Sequence, residues 1–123
     1  MKAKQIRASE RVPCGELKCA RTNETRLVGA ILQTLAGMGV WRERVNTGRR
    51  AGITYGIGTG GPDILCIVKG RAVAIECKAV GGQMSAGQNA WASRWVTAGG
   101  VYQIAYSVQQ AIDTVMYLRE HQE

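Results

Sequence analysis

The chain contains no phenylalanine, one histidine (His121) and two prolines among its 123 residues. With a single imidazole, no cluster of histidines can build a metal site. Cys14 and Cys19 find no further Cys or His grouping to complete a zinc tetrad. No apolar run approaches the roughly 18 residues of a membrane span, so no membrane partner is expected. The start, Met1-Lys2-Ala3-Lys4-Gln5-Ile6-Arg7, is charged and no apolar stretch follows, so no signal peptide is expected. Cys66 and Cys77 fall inside apolar runs and read as small buried residues, which suits a reduced, cytoplasmic setting. Acid is also scarce. Nine acidic against sixteen basic residues give a net charge of +7 and a pI near 9.6. That balance points to a polyanionic partner, with nucleic acid the first candidate. The length suits one domain with one core.

The most informative stretch is Gly61 to Lys78. Two runs rich in Ile and Val flank Lys69-Gly70, a hairpin signature. If those two residues form the loop, Val68 faces Arg71, and counting outward sets Asp63 opposite Glu76. Opposed side chains have Cβ atoms about 4.5–5.5 Å apart. Lys78 lies two residues past Glu76 and shares its face. Two acids and an amine therefore gather at the open end of a hairpin. Carboxylates that close repel, unless a cation lies between them or one keeps its proton. Mg²⁺ suits such an oxygen pair, and metal-assisted phosphodiester hydrolysis is the chemistry it supports. The plainer alternative is a solvated ion pair, nearly neutral in energy. The neighbours argue against it. Leu65, Ile67, Ala72 and Ala74 on one face and Ile64, Cys66, Val73 and Ile75 on the other predict a sheet covered by helices on both sides. Charges at its end would then be desolvated.

Along the chain, residues 1–21 form a basic arm with little apolar periodicity, read as a flexible tail able to touch phosphates. The domain proper spans 22–123. Thr22 or Asn23 is a plausible N-cap for a helix reaching about Met38, with Leu27, Val28, Ile31, Leu35 and Met38 at helical spacing. Glu24 in its first turn complements the helix dipole. Val40 to Thr47 reads as a strand with Trp41 and Val45 inward. Arg42, Arg44, Arg49 and Arg50 make a basic patch around Asn46-Thr47-Gly48. Ala51 to Gly61 reads as a flexible glycine-rich loop. Its Gly56-x-Gly58-x-x-Gly61 matches a dinucleotide fingerprint, but Pro62 and a strand follow where a helix is required, which excludes that reading. Ser85-x-x-Gln88 is a capping box opening a helix to about Ala98, with Trp91, Trp95 and Ala98 on one side. Val101 to Tyr106 is a strand expected parallel to Ala72–Lys78. Ser107-x-x-Gln110 is a second capping box, opening a helix with Ile112, Val115 and Leu118 as its apolar stripe and ending near Arg119.

Gly-x-Pro-Asp, thirteen positions to Glu-x-Lys, then Ser-x-x-Gln, resembles the PD-(D/E)XK nucleases, and within them the virus-type replication–repair nuclease (VRR-NUC) domain. Glu24, the Arg44-x-x-Thr47-Gly48 stretch and Ala98-Gly99-Gly100 add to the match, which spans roughly residues 22–116. The resemblance implies an α/β fold with a mixed central sheet flanked by helices, in the order α-β-β-β-α-β-α. It implies a Mg²⁺- or Mn²⁺-dependent endo- or exodeoxyribonuclease acting on branched, flap or junction DNA, with a role in DNA repair. Asp63 and Glu76 would hold the metal with the backbone carbonyl of Cys77. Lys78 would serve the attacking water, and Glu24 and Gln88 would assist, Glu24 on the metal or through a water. Arg42, Arg44, Arg49, Arg50 and Tyr55, with Ser85, would meet the DNA. Stand-alone members are thought to pair, so a homodimer is expected. The small stand-alone form points to a phage or mobile element, hence the host cytoplasm. The competing expectation is a basic DNA-binding module with a nuclease-like fold and no catalysis.

Overall fold

The computed structural model describes residues 23–45 and 48–121, with backbone alone at 48–50, 54 and 55; the basic arm of residues 1–21 lies outside the described residues. Helix α1 (Asn23–Gly37) is followed by β1 (Trp41–Arg44), β2 (Gly48–Arg50), β3 (Ile53–Tyr55), β4 (Ile64–Val68) and β5 (Arg71–Cys77). Then come α2 (Ala86–Thr97), β6 (Val101–Ala105) and α3 (Val108–Glu120). Among the described residues, no helix is long and apolar enough to cross a membrane.

Four strands form one mixed sheet in the order β1-β4-β5-β6. The Lys69-Gly70 turn sets its central pairing. Both residues have positive φ (51° and 80°), as a type I′ hairpin turn requires. Val68 pairs with Arg71 and Ile64 with Ile75, the register expected from that turn. The ladder ends at that pair: Asp63 N–H donates to Ile75 O at 3.1 Å, so Asp63 also lies against Ile75 and the expected pairing with Glu76 is not continued. β1 runs antiparallel to β4, with Trp41 opposite Ile67, and β6 runs parallel to β5, with Ile104 beside Glu76.

One face of this sheet carries the core. Ile64, Cys66, Val68, Val73, Ile75 and Cys77 pack under Val28, Ile31 and Leu35 of α1 and Ala111, Val115 and Leu118 of α3. Burying each of the larger aliphatic side chains contributes about 1.5–3 kcal/mol. Arg119 ties the two helices together by donating to the Met38 carbonyl at 2.7 Å. Among the described residues, the opposite face receives only α2, which sits over β6: Trp91 is buried and its ring lies 6.2 Å from that of Tyr102.

Several expectations need correction. The predicted order lacked the short antiparallel hairpin β2–β3, whose second strand falls in the Ala51 to Gly61 stretch read as loop. β1 ends at Arg44, and Trp41 points outward, 55 % exposed; Val40, just before the strand, is the buried residue. The second sheet face is covered only in part, since Ile67 remains 42 % exposed beside Trp41. In α3, Ala111 rather than Ile112 joins Val115 and Leu118 in the core. Ser107 Oγ accepts from Gln110 N–H at 3.2 Å, but the Gln110 side chain accepts from Tyr106 N–H, so that capping box is only half formed.

Candidate active site

The sheet's partly open face ends in a cluster of charges. Asp63 lies one residue before β4. Its N–H donates to Ile75 O at 3.1 Å and its carbonyl accepts from Val45 N–H at 2.8 Å, so backbone on both sides fixes it. Its Oδ2 accepts from Cys77 N–H at 2.8 Å. Glu76, next to the end of β5, is only 3 % exposed. Lys78, just past the strand, is 8 % exposed and held to the sheet by its N–H donating to Ala105 O at 3.0 Å.

Gln88 joins the two charges. Its Nε2 donates to Glu76 Oε2 at 2.9 Å, and its Oε1 accepts from Lys78 Nζ at 2.8 Å. Lys78 Nζ itself lies 3.6 Å from Glu76 Oε2, an ion pair without a direct hydrogen bond. The same Oε1 accepts from Ser85 N–H at 3.0 Å, while Ser85 Oγ accepts from Gln88 N–H at 3.1 Å. Turning the amide over would set its NH₂ against an ammonium and a backbone N–H, and its oxygen against a carboxylate. The orientation is therefore fixed by its partners. The capping box and the charge bridge are one side chain doing both at once.

Glu24 reaches in from the first turn of α1, where Oε2 accepts from Ala79 N–H at 3.2 Å. The carboxylates sense one another. Burial pushes Glu76 up to about 7, with the charge of Asp63 adding to the rise and Lys78 opposing it. Burial also raises Asp63, against the Cys77 N–H that lowers it, with Glu24 adding to the rise. Glu76 Oε1 is buried without a hydrogen-bond partner. A bare carboxylate oxygen in that position suits a hard cation, which accepts one or two carboxylates and completes its shell with water. Among the described residues, no three His, Cys, Asp or Glu side chains form a preformed cage.

Asp63, Glu76, Lys78, Gln88 and Glu24 are thus gathered around the end of one hairpin. The basic residues are less united. Arg44 is exposed, and its charge lowers Asp63, so it borders the site. Arg42 and Arg44 register with Cys66 and Ile64, whose side chains lie on the helix-covered face. Arg49, Arg50 and Tyr55 fall on β2 and β3, and their side chains lie outside what the structure describes. Ser85 is the N-cap of α2.

One residue went unremarked in the sequence. Tyr102 pairs with Ala74, its hydroxyl is buried without a partner, and burial with the charges of Glu76 and Asp63 raises its pKa. The parallel register of β5 and β6 would have pointed to it, because that register puts Tyr102 on the acids' face. Compared with known proteins, the chain matches no family model, no curated protein and no solved structure.

Proposed function

We propose that this protein is a divalent-metal-dependent DNA nuclease. The observation that carries the reading is the buried Glu76–Gln88–Lys78 bridge facing Asp63 at the end of the sheet. A buried lysine held beside two carboxylates, one with a bare oxygen, is costly for stability and suited to chemistry. The net charge of +7 fits a polyanionic substrate. The resemblance of the Gly-x-Pro-Asp, Glu-x-Lys and Ser-x-x-Gln motifs to VRR-NUC nucleases supports the same reading.

Asp63 and Glu76, through Oε1, would hold Mg²⁺ or Mn²⁺, joined by the Cys77 carbonyl, with Glu24 at the rim. A bound divalent ion supplies charge neutralisation at the phosphodiester and a more acidic water. The chain's own part is positioning. Lys78, aimed by Gln88 Oε1, orients the attacking water and meets the negative charge that develops as one P–O bond forms and the other breaks. Gln88 keeps the ammonium and the Glu76 carboxylate at fixed separation. Arg44, with Arg42, Arg49, Arg50 and Tyr55, contacts backbone phosphates. Branched, flap or junction DNA is the proposed substrate, and a homodimer the proposed active form.

The test is a panel of single-stranded, flap and four-way-junction DNAs with Mg²⁺ or Mn²⁺, with and without chelator. Wild type should cut at least one structure only with metal, and folded Asp63→Ala and Lys78→Ala should cut at least about a hundredfold more slowly. Metal-dependent cutting at the wild-type rate by folded Lys78→Ala would reject the assigned roles. Binding of DNA by wild type with no cutting would favour the non-catalytic module.

A further inference from the structure

The loop leading into Asp63 and the helix carrying Gln88 meet at a backbone-to-backbone contact. Gly60, at φ 86°, lies against the first turn of α2. A Cβ there would fall 2.5 Å from Gly87 C and 2.9 Å from Gln88 N, and closer still to Gly87 O. All three are main-chain atoms, which cannot swing aside as a side chain would. The converse is not true. A Cβ on Gly87 would meet Thr59 Cγ2 at 3.6 Å and Gly60 Cα at 3.9 Å, ordinary contacts. The helix tolerates a side chain at this contact, and the loop does not.

A second attachment lies one turn along α2. The buried Trp91 donates from Nε1 to Ile57 O at 3.3 Å. Within the loop, Gly61 N–H donates to Gly58 O at 3.2 Å, and Gly61 packs on the Ile57 side chain. Buried Pro62 then delivers the chain to Asp63. So the segment that places one acid is fastened to the helix turn that places the amide between the other acid and the lysine.

We propose that Gly60 is a positioning residue: its close approach to Gly87 and Gln88 seats the first turn of α2 so that Gln88 spans Glu76 and Lys78. The proposal deepens the nuclease reading and rests on it for its consequence in cleavage, but the placement of Gln88 is measurable without cleavage. A Cβ at residue 60 must push that turn away. A misplacement on the order of 1 Å can cost an enzyme about a hundredfold in rate.

Three variants separate contact from strain. Gly60→Ala adds both a clash and left-handed strain. Gly58→Ala, at φ 101° with nothing within 4 Å of a new Cβ, adds strain alone. Gly87→Ala adds a methyl on the tolerant side of the contact. The first readout is the ¹⁵N side-chain amide resonance of Gln88 in the metal-free, full-length protein. Gly60→Ala should shift it toward the position of a free, solvated glutamine, while Gly58→Ala and Gly87→Ala leave it within the wild-type range. The second is cleavage, where Gly60→Ala should lower kcat about a hundredfold with KM little changed, and the other two should stay within a few fold. An unchanged Gln88 resonance in folded Gly60→Ala overturns the proposal, as does an equal shift in Gly58→Ala. If Gly60→Ala does not fold, Trp91→Phe, which removes the donor to Ile57 O, should shift the same resonance, and no shift there is equally fatal. If wild type cuts no DNA, the nuclease reading fails while the resonance still decides the role of Gly60.

Discussion

Glu76 offers a measurement that needs no substrate. Its carboxyl ordinarily titrates at 4.5 and is pushed up to about 7 in the fold, by burial first and by the charge of Asp63 second. A raised carboxyl favours the folded state in its protonated form. The stability it contributes is whole below 4.5 and is lost as pH rises through about 7. Between pH 5 and pH 8 that loss amounts to about 2–3 kcal/mol. Glu76→Gln keeps the shape and the acceptor for Gln88 but cannot ionise. Its stability relative to wild type should therefore grow by about 2–3 kcal/mol from pH 5 to pH 8. Urea unfolding of both proteins at several pH values, in chelator, measures this directly. Comparing pH dependences rather than absolute stabilities removes any fixed effect of the amide. Parallel pH profiles for the two proteins would refute the argument, because they would mean Glu76 is not held near neutrality by its surroundings. Adding Mg²⁺ at pH 8 should then stabilise wild type and leave Glu76→Gln much less affected, by mass action on the folded state.

Three further outcomes test other parts of the structure. Burial pushes the Cys66 thiol up to about 11 and raises Cys77 as well, so at pH 8 only about one Cys66 in a thousand is thiolate; iodoacetamide should label these two only above the unfolding transition, as peptide mass spectrometry would show. A Cβ at Gly100 would lie 2.5 Å from Trp95 Cε2 and closer still to Nε1, which is itself fixed by donating to Val101 O at 2.8 Å; Gly100→Ala should cost about 1–3 kcal/mol in thermal or urea unfolding. Lys69 sits at φ 51° in the central hairpin, where Asn is better tolerated; Lys69→Asn, giving Asn-Gly, should stabilise by about 0.5–1 kcal/mol in the same assay.

The hairpin register was readable because one two-residue turn dictates the pairs from Val68–Arg71 to Ile64–Ile75, which put Asp63, Glu76 and Lys78 at the same end of the sheet, although Asp63 itself bonds to Ile75 and leaves the register. The parallel placement of β6 came from the helix between it and β5. Less was readable where the answer depended on how elements are laid over one another. Apolar residues on both faces of the two runs implied cover on both sheet faces, yet they carry no information on how far a helix layer extends, and α2 sits over β6, leaving Ile67 open. Trp41 looked like a core residue by composition, but its strand is at the sheet edge. The β2–β3 hairpin was hidden because three-residue strands amid glycines leave no periodic signal. In α3 a one-residue step rotates the helix by about 100°, enough to exchange Ile112 for Ala111 at the core. For Gln88, helix cap and site residue were both legible from the sequence as separate possibilities; that a single amide fills both roles required coordinates.

The distribution of tryptophans makes the molecule its own optical reporter. Trp91 and Trp95 stack at 5.0 Å inside α2, next to the loop that feeds Asp63, whereas Trp41 stands in solvent on the outermost strand. Iodide should quench the emission of Trp41 and leave the stacked pair largely dark to it. A molecule settling on the open half of the sheet would shield Trp41 and shift its emission to the blue, while a disturbance of the helix beside the acids would register in the other two.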